Sequence, residues 1–221
     1  MNSADVELLR PHLSSVALAK GEYLLEAGQK VSQSWFIESG IVSIVVATPQ
    51  GQQTEVGIVG REGMIDLATL HGSDRAVHRC FVQLEGEAYR LPAAILQSAV
   101  ETSASFRQLM MGYAYSFLAQ VSGTASANAS YTLEQRLARW LLMCHDRIDG
   151  DEVRMTHEFL SLMINVRRAG VTVAIQALEQ LGLVIGLRGR ITIIDRTGLE
   201  RFAGDSYGAP EAVLRSLQIA N

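Results

Sequence analysis

The apolar and polar positions divide the chain into two textures. From about residue 17 to 92, short apolar runs are split by turn-forming residues. Tyr23-Leu24-Leu25-Glu26-Ala27 ends at Gly28, and Trp35-Phe36-Ile37 ends at Ser39-Gly40. A β-branched run from Ile41 to Thr48 ends at Pro49-Gln50-Gly51, and Thr54 to Val59, Cys80 to Leu84 and Ala88 to Leu91 follow. Turn signals at such intervals predict antiparallel strands joined by hairpins, as in a barrel or sandwich.

The texture then changes. From about Ser103 to Asn128 there is no proline and the glycines are isolated. Phe106, Met110, Tyr113, Phe117, Gln120 and Thr124 alternate steps of four and three, the spacing of a helix packed lengthwise on another helix. Small residues around this seam (Ala114, Ala119, Gly123, Ala125 and Ala127) permit close approach. Tyr113 and Gln120 suit an interface better than a dry core, so the seam is expected to join two copies of the chain. The competing reading packs the helix on its own domain. A second helix starts at Thr132, where Thr132-Leu133-Glu134-Gln135 reads as a capping box. Leu133, Leu137, Trp140, Leu141 and Cys144 form its apolar face, and it fades into Asp149-Gly150-Asp151.

The stretch from Thr156 to Asp195 carries the chemistry. Thr156 can cap a short helix with Phe159, Leu160 and Met163 inward. Asn165-Val166 follows as a tight turn, asparagine tolerating the left-handed backbone. A helix from about Arg167 to Gln180 buries Val171, Ala174, Ile175, Leu178 and Leu181 as one stripe. Its other face aligns Arg168, Thr172 and Gln176, four apart, with Ala169 and Val173 beside them. A cation, a hydroxyl and an amide in a row suit a DNA major groove. Arginine grips a guanine edge, glutamine reads adenine, and small apolar groups meet a thymine methyl. Leu183 to Ile194 then predicts a two-stranded hairpin whose tip, Arg188-Gly189-Arg190, is basic. Helix, turn, helix, basic hairpin is a winged helix, with Arg188 and Arg190 placed for phosphates.

Composition narrows the alternatives. The 221 residues are 48% hydrophobic and 19% charged, which argues for a folded chain. The formal net charge is -4, yet residues 154–196 hold six arginines against three acids. A basic patch within an acidic chain suits local contact with an anionic partner. Two distant cysteines, Cys80 and Cys144, leave no CxxC pair, so no zinc or iron–sulfur site is expected and both read as buried thiols. No signal peptide or membrane span is legible, and a cytoplasmic protein is expected. No Ser/His/Asp, Cys/His or paired-carboxylate set stands out, so no enzyme is expected. Gly57-Ile58-Val59-Gly60-Arg61-Glu62-Gly63 lacks the Gly-Lys-Ser/Thr of a phosphate loop, and its glycines read as barrel turns.

With these parts in this order, the chain resembles the CRP/FNR family of bacterial regulators. Leu133-Glu134-Gln135-Arg136-Leu137-Ala138-Arg139-Trp140-Leu141 through the hairpin resembles that family's C-terminal half. The N-terminal half resembles its cyclic-nucleotide-binding-type barrel. The fold class implied is α+β: an N-terminal antiparallel, jelly-roll-like β-barrel, a long dimerisation helix, and a C-terminal winged helix-turn-helix. The expected domains are 1–102, 103–130 and 131–221. The resemblance implies a homodimer on a two-fold symmetric operator, with double-stranded DNA, a second copy and RNA polymerase as partners and no membrane. Arg168 matches the arginine that opens the family's recognition helix, whereas Ala169 and Val173 replace two base-reading residues, so a different operator is expected. Thr156 and Arg167 complete the DNA-facing set.

The sensor end departs further from that pattern. The nucleotide-binding stretch of the family corresponds to Gly63-Met64-Ile65-Asp66-Leu67 and then Arg75-Ala76-Val77. Ile65 restricts the backbone approach that a glycine allows, and Asp66 is a methylene shorter than the matching glutamate. Arg75 is a candidate phosphate partner, with Leu67 and Ala76 beside it. The effector is left open between a cyclic nucleotide, another small molecule and none. His71 and His78, which a haem would need as axial ligands, read as surface or turn residues. A ligand-sensing module whose winged helix contacts protein is the competing function.

Overall fold

A computed structural model describes residues 1–48 and 53–219, so the turn expected at Pro49-Gln50-Gly51 lies outside the described residues. The chain opens with α1 (Ser3–Leu9), capped by the Asn2 side chain. Strands follow: β1 (Ser14–Leu18), β2 (Tyr23–Leu25), β3 (Gln33–Ile37), β4 (Ile41–Ala47), β5 (Gln53–Val59) and β6 (Met64–Ile65). After one helical turn, α2 (Leu67–Leu70), come β7 (Arg79–Leu84) and β8 (Gly86–Pro92). Among the described residues these strands form two antiparallel sheets, ordered β1-β8-β3-β6 and β2-β7-β4-β5. Leu18, Ile37 and Ala88 from one sheet meet Val42, Val59 and Val82 from the other, giving a jelly-roll-like barrel that is not fully closed. β1, β6 and α1 are not expected from the sequence, because they are short and their apolar signal is weak.

Helices then take over. α3 (Ala93–Thr102) leads into the long α4 (Ala104–Ser130), capped by Ser103, and α5 (Leu133–His145) follows. The capping box at α5 forms as expected: Thr132 N–H donates to Gln135 Oε1 (3.2 Å) and Gln135 N–H to Thr132 Oγ1 (3.3 Å). Then come β9 (Glu152–Val153), α6 (His157–Met163), α7 (Arg168–Gln180), β10 (Val184–Leu187), β11 (Arg190–Ile193), α8 (Arg196–Ala203) and α9 (Ala209–Ile219). β9 pairs with β11 and widens the expected hairpin into a three-stranded sheet.

The strands β4, β5 and β7 are apolar on both faces, and the two faces serve two cores. In β4, Val42 and Ile44 point into the barrel, while Ile41 and Val45 join a cluster built mainly from the C-terminal domain. In β7, Cys80 and Val82 face inward while Phe81 faces outward. Strict alternation of side chains in a strand makes this division. The outer face carries α5, whose Leu137, Ala138, Trp140, Leu141, Leu142, Met143 and Cys144 are all buried. The sequence predicts one apolar face for this helix. Five consecutive apolar residues from Trp140 to Cys144 cannot share one face of a helix, and here they fill two: one against the barrel, one against α7 and α8.

The seam predicted for a partner copy needs correction. Phe106, Met110, Tyr113, Phe117 and Gln120 are buried against the chain's own barrel. Tyr113 donates from its hydroxyl to the Met64 carbonyl (2.8 Å), and Gln120 brackets the Ile58 backbone, accepting from its N–H (2.7 Å) and donating to its carbonyl (3.1 Å). Thr124 is half-buried and donates to the Gln120 carbonyl. Step-four, step-three spacing marks a buried face but not what buries it. Gly57 is likewise not a turn: it sits within β5, where a β-carbon would lie 2.8 Å from Gln120 Oε1 and 2.9 Å from Phe117. The missing side chain is what lets α4 lie on the sheet. A second strip of α4 stays open: Gln108, Met111, Tyr115, Leu118, Ser122, Ala125 and Ala129 are exposed, again in steps of three and four. Met111, Tyr115 and Leu118 are 39%, 61% and 60% exposed, an unusual amount of apolar surface for one helix.

Candidate nucleic-acid interface and barrel cavity

The C-terminal domain is assembled so that one helix face stays free. Thr156 caps α6, accepting from the Phe159 N–H (3.2 Å), and Leu160 and Met163 turn inward as expected. Asn165 makes the turn at φ 49°, in the left-handed region that asparagine tolerates. α7 then buries Val171, Ala174, Ile175 and Leu178. Leu181, expected in that stripe, is instead 56% exposed, because it lies past the end of the helix at its C-cap.

The opposite face of α7 presents Arg167, Arg168, Ala169, Val173 and Gln176 to solvent, from the residue before the helix through its third turn. Thr172 sits lower on that face. It is half-buried, and its hydroxyl lies 3.1 Å from His157 Nδ1, a partner that helical spacing alone does not reveal. The hairpin carries Arg188 and Arg190 at its tip, where Gly189 adopts φ 77°. Arg190 is paired at 3.4 Å with Glu152 on β9. Among the described residues no ion pair involves Arg167, Arg168 or Arg188, whereas Arg79, Arg147 and Arg196 are each paired with a carboxylate. Exposed guanidinium groups without an ion pair among the described residues are available to an anionic partner.

The barrel holds a cavity of about 340 Å³ lined by Leu25, Ile44, Met64, Leu67, Ala76 and Phe117, with Asp66, His71, His78 and Cys80 among its polar and titratable neighbours. The stretch matched to a nucleotide cradle is built otherwise. Asp66 has φ 105°, rare for a residue with a side chain, and is 2% exposed. One of its carboxylate oxygens accepts from Ser34 Oγ (2.7 Å) and the other from the Thr69 N–H (2.9 Å), where it caps α2. Arg75 is exposed and directs its guanidinium to the Gly28 carbonyl (2.9 Å), outside the cavity lining. Ile65 is packed in the barrel core. Asp66 and Arg75, expected to cradle one ligand, are thus engaged with the protein itself.

The rest of the lining holds no lysine or arginine. Burial lowers the His78 imidazole, favouring its neutral form, and burial together with the Asp66 charge pushes the Cys80 thiol up to about 12. His71 is the exposed turn residue expected, its Nδ1 2.7 Å from the Leu67 carbonyl, whereas His78 is half-buried at the cavity wall. A phosphate placed there would face the Asp66 carboxylate and no lysine or arginine. The residues present do not fit a cyclic nucleotide.

Among the described residues no group of His, Cys, Asp and Glu is placed to hold a metal, and no helix is long and apolar enough to cross a membrane.

Comparison with known proteins gives two domain matches. A cyclic nucleotide-binding domain matches residues 15–103, and a Crp-like helix-turn-helix domain matches residues 135–202. No curated protein matches the chain. Among solved structures, FixK2 from Bradyrhizobium japonicum superposes with a TM-score of 0.76 at 12% identity, over 87% of this chain and 98% of that one. A CRP/FNR-family transcriptional regulator from Thermus thermophilus gives 0.70 at 19% identity, over 86% and 98%. The c-di-GMP-responsive global regulator CLP from Xanthomonas campestris gives 0.68 at 17% identity, over 88% and 100%. At these identities the likeness is one of fold.

Proposed function

The chain belongs to the CRP/FNR family of bacterial transcription regulators, a family of DNA-binding proteins rather than enzymes, and we propose that it acts as a homodimer on a two-fold symmetric operator. The observation that carries this reading is the free face of α7: Arg168, Ala169, Val173 and Gln176 exposed together, flanked by unpaired Arg167 and Arg188. Arg168 reads a guanine edge, Gln176 an adenine, and Ala169 and Val173 meet thymine methyls. Thr156, Arg167, Arg188 and Arg190 fix position on the phosphates. Thr172, held by His157, sets the height of the helix in the groove more than it reads a base.

The two copies join through the open strip of α4, with Met111, Tyr115 and Leu118 at its apolar end and Ser122, Ala125 and Ala129 where the helices come closest. A two-fold axis along this strip makes the interface self-complementary and sets the two α7 helices about one DNA turn apart. Any effector enters the barrel cavity, where the lining favours an uncharged, largely apolar molecule over a cyclic nucleotide. Phe117 reaches that cavity from α4, so a ligand there touches the helix that dimerises.

The test is a binding-site selection with the wild-type chain and Arg168→Ala. The variant is expected to lose on the order of 1–3 kcal/mol at its preferred operator and to relax at one base position per half-site. An unchanged selected sequence refutes the base-reading role. Binding that ignores salt in both proteins refutes DNA recognition itself and favours a protein-contact role for the winged helix.

A further inference from the structure

The contact between barrel and DNA-binding domain contains a carboxyl group that the regulator reading does not use. Glu55 lies on the outer face of β5 and is 4% exposed. Trp140, on α5, donates from its indole Nε1 to Glu55 Oε1 at 2.8 Å. The other oxygen, Oε2, is buried and has no hydrogen-bond partner among the described residues.

The neighbours do not neutralise it. Ser43 on β4 gives its proton to Gln83 Oε1 (2.6 Å), and Gln83 on β7 directs its amide to Cys144 Sγ (3.7 Å). Arg139 on α5 and Arg147 just past its C-terminal end both attract the Glu55 charge, but they hydrogen-bond elsewhere. Arg139 donates to the Ser206 carbonyl (2.7 Å), and Arg147 pairs with Glu62 (2.7 Å). The Cys144 thiol is held neutral, its pKa raised first by burial and then by Glu55 itself. Met163 of α6 closes the group beside Ser43. Among the described residues, an ionised carboxylate here would lack a paired cation, with the Trp140 indole as its donor and beside it a Ser43 hydroxyl whose proton Gln83 takes, an unfavourable state in a buried seam.

We propose that Glu55 is a proton-linked latch between the two domains: neutral, it lets α5 seat on β5; ionised, it loosens that seat.

Burial, outweighing the hydrogen bonds and the two arginines, pushes the Glu55 carboxyl from the ordinary 4.5 up to about 7. The seated state therefore keeps a proton that an exposed Glu55 releases. Seating is strongest at and below about pH 4.5, weakens as pH rises to about 7, and is level above that. Within that window the seating equilibrium changes by up to about tenfold per pH unit.

The experiment uses the full chain with ¹⁵N-labelled tryptophan. The indole N–H resonance of Trp140 is followed from pH 5 to 8, with Trp35 as the internal reference. Hydrogen exchange of the α5 and β5 amides is measured in parallel, in wild type and Glu55→Gln at the same pH values. The Trp140 resonance is expected to titrate once, with a midpoint near 7, and to stop titrating in the variant. Protection of the seam in wild type, relative to the variant, is expected to fall up to tenfold per unit between pH 5 and 7. A Trp140 resonance that is flat across this range overturns the latch, and so does a protection ratio that stays constant. Because the wild-type titration needs no substitution, a variant that fails to fold leaves that decision intact. The latch does not depend on DNA recognition, so failure of operator binding leaves it standing.

Discussion

Two adjacent residues on α4 separate the buried seam from the open strip proposed to join two copies. Phe117 is 7% exposed within the barrel core, whereas Leu118 is 60% exposed on the open strip. Full burial of a leucine side chain is worth about 1.5–3 kcal/mol, so burying the open share of Leu118 is worth about 1–2 kcal/mol per copy and about 2–4 kcal/mol per dimer. At 1.4 kcal/mol per decade this is roughly a 30- to 700-fold change in Kd. Leu118→Ala keeps its β-carbon and should fall toward the lower end. Phe117→Ala should act on the fold instead, costing about 3–5 kcal/mol of stability. Sedimentation velocity over a concentration series gives the dimer Kd. Urea unfolding at one high protein concentration gives the stability, since the midpoint of a dimer depends on concentration. Leu118→Ala is expected to loosen the dimer while its monomer stays folded. If Leu118→Ala leaves Kd untouched while Phe117→Ala loosens the dimer without moving the urea midpoint, the assignment of faces is wrong.

Two further outcomes follow from the site geometry. Arg188→Ala should weaken binding to all DNA sequences alike and flatten the slope of log affinity against log salt by about one, as measured by fluorescence anisotropy; a loss confined to one operator contradicts a phosphate role. Cyclic AMP titrated into the protein by calorimetry should give no binding heat and no shift in melting temperature, because the cavity offers a phosphate no cation, and saturable binding would sink the uncharged-ligand reading.

Much of this is legible in the chain, and the exceptions have a common cause. The capping box at Thr132, the turn at Asn165 and the buried stripe of α7 can be read from sequence because each depends on neighbours three or four residues away. The α4 spacing marks a helix and a buried face, but not that the chain's own barrel buries it. Phe106 to Thr124 and Gln108 to Ala129 both repeat in threes and fours, and only the barrel's position decides which is covered. Gly57 looks like a turn residue because the need for its missing side chain comes from Phe117 and Gln120, about sixty positions away. Asp66 and Arg75 look like a ligand pair because sequence spacing does not reveal that Ser34 and Gly28 reach them first. The burial of Glu55 has no signal in the sequence, because it comes from α5 lying over β5.

The double-sided burial of α5 has a consequence for how such regulators can be recombined. A division after residue 130 would hand this helix whole to the DNA-binding half, yet Ile41, Val45, Ile58 and Phe81 of the barrel share its core. A foreign reader joined there would arrive with a first helix shaped for another sensor. The transplantable unit is thus a reader together with the outer faces of β4, β5 and β7 that fit it. In this architecture the barrel and the DNA-binding half are joined through one shared helix and are not two exchangeable modules.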